Sequence, residues 1–144
     1  MAVSDYNVNE KISTFVGSRI LFSDIPLAFV AHPRLKDIRP ITDVAAIRQA
    51  VKVLVLSNYT DRPFHPELGG NVTRYLFDNA TRFTAIAIRD EIKRLLRRNE
   101  TRIHNTKVMV ELAEALNRLR VTVQFTIKSS NINTEVSFFL DRIR

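Results

Sequence analysis

The chain lacks cysteine, which excludes disulfides and thiolate metal sites. It has no apolar run long enough to span a bilayer. Its N-terminus lacks the basic segment followed by an apolar run that marks a secretory signal. The expectation is a protein made and used in a cytoplasm, where the Asn-x-Thr triplets at Asn58, Asn71, Asn79 and Asn99 carry no weight. A nucleophile elbow, a phosphate-cradling loop, a Gly-rich fingerprint, a zinc finger and an RNA-binding signature are all missing. His32, His65 and His104 are isolated and lack metal-ligand spacing. A glycosidase needs two carboxyl groups flanking one bond, for which Glu67 and Glu100 could be nominated. Each lies close in sequence to an Arg, and pairing holds a carboxyl ionised, the wrong direction for a general acid.

Glycine and proline are scarce, three and five in 144 residues, and two of each fall in Arg62-Pro63-Phe64-His65-Pro66-Glu67-Leu68-Gly69-Gly70. Proline fixes its own φ and pushes the preceding residue towards extended geometry, while glycine permits positive φ. This stretch therefore reads as a shaped loop, a joint between helices, that plugs Phe64 into a core and presents Glu67 in a fixed place. Hydrophobic residues make up 45% and charged residues 26%, a globular composition. The length is one domain's worth. The net charge of +7 favours a negatively charged partner, whether nucleic acid, anionic surface or acidic protein, without choosing among them.

The predicted fold class is α+β: a three-helix N-terminal part followed by a three-stranded antiparallel meander, with an extended N-terminal arm. Residues 1–40 form the arm and 41–144 a single α+β domain. Pro26, Pro33 and Pro40 argue against a continuous helix in the arm, and Ile20, Phe22, Ile25, Leu27, Phe29 and Val30 argue against a free tail. It needs a surface to lie on, its own domain or a partner. A first helix over 42–56, capped by Thr42 or Asp43, places Val44, Ile47, Val51 and Leu54 on one face, with Val53, Val55 and Leu56 as a second strip. A short helix over 71–77 is capped by Asn71. A third over 84–98, started by Thr81 or Thr84, buries Ala85, Ile88, Ile92 and Leu95, broadened by Ile86 and Leu96. Arg89, Lys93 and Arg97, with Arg94 and Arg98 beside them, form a basic cluster, and Asp90 and Arg94 are spaced for an i,i+4 pair. Cations suit a helix C-terminus, so this cluster reads first as a solvated helix end and second as a partner patch. From Ile103 the periodicity becomes alternating and predicts strands over 103–112, 119–128 and 134–142. Short connections make them a meander. Its edges invite another strand, and Phe139 should point away from the face shared by Phe138.

Arg62-Pro63-Phe64-x-Pro66-Glu67-Leu68-Gly69, followed by a short helix ending in Leu76-Phe77, resembles the small baseplate wedge protein of contractile phage tails. Relatives of that family include the wedge component of type VI secretion systems, and it is sometimes labelled lysozyme-like. Its second signature, Glu-Pro-Arg-Ile or similar, is matched by Glu100-Thr101-Arg102-Ile103, with the proline replaced. Phe22-Ser23-Asp24-Ile25 is similar to the family's N-terminal aromatic-Ser-Asp-Ile segment. The resemblance runs from about residue 20 to the C-terminus. It implies a non-enzymatic role without cofactor in the tail baseplate of a virion assembled in the host cytoplasm. The implied partners are other wedge proteins and the tail sheath protein, with tube and hub proteins as further candidates. It implies no membrane, and it disfavours nucleic acid. The implied mechanism is strand addition to the meander, which templates the first sheath ring. The expected partner-interface residues are Arg62, Glu67, Glu100, Arg102, Ile103 and Phe139, the four charged ones as a candidate ion-pair set at the wedge junction. The joint residues are Pro63, Phe64, Pro66, Gly69, Leu76 and Phe77. The alternative readings are a small basic nucleic-acid-binding module and a lysozyme-type enzyme.

Overall fold

The computed structural model describes residues 20–79, 81–113 and 118–141. The polar segment expected at residues 1–10, the middle of the link after the first long strand and residue 142 of the last strand lie outside them. The chain divides into two compact units, Met1–Asp43 and Val44–Arg144.

In the first unit, β1 (Ser23–Asp24) pairs antiparallel with β2 (Ile41–Thr42). Between them Ala31 bridges Ile38, and a turn is closed by the His32 N–H on the Asp37 carbonyl at 2.8 Å and the Lys36 N–H on the His32 carbonyl at 2.9 Å. Asp43 fastens this ladder: its Oδ1 accepts the Leu21 N–H at 2.9 Å and the Phe22 N–H at 3.2 Å. Residues 20–43 are thus folded back on themselves rather than extended throughout. Of the three prolines that argue against a helix, Pro26 and Pro33 also sit at turns of the chain.

In the second unit, α1 (Asp43–Leu56) buries Ile47, Val51 and Val55, four residues apart on one stripe. Leu56, expected on a second apolar strip, is exposed. The helix α2 (Val72–Tyr75) is shorter than the 71–77 predicted, and the Asn71 side chain makes no cap bond. Its entry is held by another element: the Asn71 N–H lies 3.4 Å from Glu91 Oε1 of α3. The helix α3 (Arg82–Asn99) begins two residues before the predicted start, because Thr81 Oγ1 accepts the Thr84 N–H at 3.2 Å and caps the first turn. Ile88, Ile92, Leu95 and Leu96 are buried. Ile86, assigned from sequence to the same stripe, is 46% exposed because it falls on the opposite side of the helix.

The meander is present in the order β3–β4–β5, all antiparallel. Its strands are β3 (Ile103–Ala113), β4 (Arg118–Ile127) and β5 (Asn133–Asp141). Buried residues alternate along β4 at Leu119, Val121, Val123, Phe125 and Ile127, and along β5 at Val136, Phe138 and Leu140. The helix α3 packs on β3. Each fully buried aliphatic side chain contributes about 1.5–3 kcal/mol of transfer free energy, so this shared face dominates the stability of the unit. The β3–β4 register shifts between His104 and Lys107, and Asn105 takes a left-handed φ of 51° at that bulge. The β4–β5 register runs without interruption from Arg118↔Asp141 to Thr126↔Asn133.

Candidate assembly interface

The loop between α1 and α2 is pinned at its base. Asn58 and Gly70 form a parallel bridge, and the Gly70 N–H donates to the Ser57 carbonyl at 3.0 Å. Gly69 has φ +113°, and a Cβ there would stand 2.6 Å from the Asn58 carbonyl oxygen, so glycine is required both for conformation and for space. Within the loop the Thr60 N–H donates to the Pro66 carbonyl at 3.1 Å and the Asn58 N–H to Asp61 Oδ2 at 2.8 Å.

Arg98, at the end of α3, clasps the loop from outside. Its Nη2 donates to the Glu67 carbonyl at 2.8 Å and the Gly69 carbonyl at 3.2 Å, and its guanidinium lies 5.5 Å from the Tyr59 ring centroid. The sequence placed Arg98 in a solvated basic cluster; nothing local to residues 94–98 signals a partner thirty residues away.

Phe64 does not plug a core. It is 92% exposed, so the prolines fix the loop's shape while the tip points outward. Of the other joint residues, Leu76 is buried and Phe77 is 62% exposed. Pro63 and Pro66 are both exposed, and Gly69 is buried at the base.

The four charged residues proposed as one set are not brought together as one. Glu67 pairs with His65 at 3.3 Å; its carboxyl is held below the usual range chiefly by a hydrogen bond from its own backbone amide, then by His65 and the Arg98 charge. Arg62 is exposed and contributes its carbonyl to the His65 N–H. Glu100 and Arg102 do pair: Glu100, 6% exposed, accepts Arg102 Nε at 2.7 Å and Nη2 at 2.6 Å on its two oxygens. This fork holds the corner between α3 and β3, where Ile103 is buried and the Lys128 N–H donates to the Arg102 carbonyl at 2.9 Å.

The predicted Asp90–Arg94 pair is not made. Asp90 bonds Arg89 at 2.9 Å, which keeps its carboxyl below the usual range, while Arg94 pairs with Glu91 one turn back, which raises the guanidinium's pKa. Glu91 was missed by the sequence reading although a signal existed: an acid at position 91 interrupts the stripe Ile88–Ile92–Leu95. On the far side of the meander Phe139 is 47% exposed beside buried Phe138, with the Arg120 guanidinium 5.2 Å from its ring centroid. Among the described residues no cluster of His, Asp and Glu is arranged to hold a metal ion.

A helix packed on a three-stranded meander, a knuckle clasped by one arginine and a charge-locked corner define a structural module whose conspicuous groups face outward. The chain belongs to the baseplate wedge protein gp25 family, whose sequence model matches residues 42–132. It is therefore a structural protein of a baseplate of the contractile-tail kind. Two solved structures share its fold. One is a crystal structure described as a candidate tail lysozyme from Geobacter sulfurreducens, 20% identical, covering 68% of this chain and 89% of that one, with a TM-score of 0.63. The other is a chain of the baseplate complex from the type VI secretion system, 10% identical, covering 70% and 94%, with a TM-score of 0.57. None of the curated proteins matches the chain significantly.

Proposed function

We propose that this protein joins wedge subunits at the baseplate and templates the first sheath ring by accepting a strand from a sheath subunit along β5. The observation that carries this reading is the β5 edge. It is nine residues long, in unbroken register with β4, and paired on one side only among the described residues. Such an edge is a template for another chain. The opposite edge is less suitable, because β3 is bulged between His104 and Lys107. Phe139, exposed on β5, offers the incoming strand an aromatic cross-strand contact.

The wedge side of the role rests on the other end of the unit, where the knuckle presents Arg62, Phe64 and Glu67 outward and the Glu100–Arg102 fork fixes the corner at Ile103. A non-enzymatic role is favoured by the chemistry of the acids: Glu67 is held as a carboxylate, and Glu100 is locked to Arg102. Imaging of the assembled particle at side-chain resolution tests the proposal. A foreign backbone hydrogen-bonded along β5 is expected; a β5 edge facing solvent or sealed by this chain's own backbone overturns it. Full-length sheaths growing on baseplates that carry Phe139→Pro count against it as well.

A further inference from the structure

The outward face of α3 is divided in two. Residues 83, 86, 90, 93 and 97 recur at i, i+3, i+7, i+10 and i+14, opposite the buried stripe of Ile88, Ile92 and Leu95. At the N-terminal end this face shows Phe83, 82% exposed, and Ile86. At the C-terminal end it shows Lys93 and Arg97, which line two adjoining clefts of about 480 and 520 Å³. Lys128 from the end of the meander lines the second cleft. Among the described residues no carboxylate makes a salt bridge with Lys93, Arg97 or Lys128: Asp90 is bonded to Arg89, with the Lys93 charge acting on it from a distance, and Glu91 and Glu100 are bonded to Arg94 and Arg102.

We infer that this face docks an acidic amphipathic helix of a partner protein. Its apolar side chains lie over Phe83 and Ile86, and its carboxylates meet Lys93, Arg97 and Lys128. Phe83 to Arg97 spans roughly 21 Å of helix axis, the length of about four turns of a partner helix. Lys93 and Arg97 are one turn apart, so carboxylates at i and i+4 of the partner match them in spacing as well as in sign. Nucleic acid fits less well: the apolar end of the face, Phe83 and Ile86, offers a phosphate backbone nothing. The inference deepens the wedge-joining half of the proposed function and rests on it.

The test places a photo-crosslinking residue at Ile86 and, separately, at Arg97 in the full-length chain within the assembled particle, and maps the captured peptides by mass spectrometry. Capture of one acidic segment of one partner from both positions is expected. Capture of nucleic acid, of a segment without acids at i,i+4 spacing, of unrelated segments from the two positions, or of nothing overturns the docking surface. In parallel, the Lys93→Glu/Arg97→Glu double variant should enter baseplates at least about tenfold less well while keeping its melting temperature, and Lys93→Arg should enter normally. Normal entry of the double variant overturns the inference and leaves the baseplate role standing. Absence of the unmodified chain from purified baseplates removes both.

Discussion

Between Asn133 and Asp141 every residue of β5 has a registered partner on β4, whereas between Asn58 and Gly70 the backbone is held by isolated bonds and by Arg98 reaching over from α3. The strand is fixed by a repeating pattern in which no one bond decides the outcome. The knuckle is fixed by rigid residues and one long-range donor. The meander should therefore tolerate single surface changes and fail through its core. The knuckle should lose its shape from one substitution without unfolding the unit.

The largest expected effect lies under the sheet. Ile92 is fully buried, and Ile92→Ala should cost about 2–5 kcal/mol in a thermal or denaturant melt. Arg102→Ala comes next. It leaves Glu100 buried without its fork partner, and the one-third exposure of Arg102 reduces the cost below the range for fully buried pairs, to about 2–3 kcal/mol. A charge reversal at Arg102 therefore acts on the fold before it acts on any partner, so defective assembly of that variant must be read against its melting curve.

On the knuckle, Gly69→Ala forces a side chain against the Asn58 carbonyl at a strained φ and should cost about 1–3 kcal/mol. Arg98→Ala should leave the melt nearly unchanged and speed amide exchange at Gly70 and Thr60 by about five- to tenfold, a readout that separates a clasp from a core residue. Phe64→Ala should change stability by less than about 0.5 kcal/mol, since the ring is in solvent, and a loss of several kcal/mol would contradict the outward-facing tip.

The smallest effect is the pH response of the loop. Glu67 has a lowered folded-state pKa, so whatever it contributes is present above the ordinary glutamate value of 4.5 and is lost as the pH falls through the lower folded value. Exchange rates in residues 60–68, corrected for intrinsic rates, should stay flat above that range and rise below it. Because the His65–Glu67 pair is exposed, salt should weaken the change.

The meander, the two long helices and the outward Phe139 were legible in the sequence because each is written as a local period, and burial follows the period. The direction of Phe64 was not. Two prolines and two glycines specify that a loop has a shape, but they do not say which of its side chains faces inward. The same limit hid the Arg98 clasp and the Glu91 link to Asn71, which join residues twenty or more positions apart. The Glu100–Arg102 fork was legible because its partners are two residues apart, and the expectation that Arg62 and Glu67 would join it was not met because that required a long-range contact.

The uninterrupted β5 has a metrological consequence. Any strand laid against it meets side chains that alternate between the covered face and the open one, so a slip by a single residue would turn every guest side chain to the wrong face. The permitted shifts are even numbers of residues, in increments of about 6.8 Å. If the proposed strand addition takes place, the edge is a graduated rule against which a neighbour is located along the strand in discrete steps.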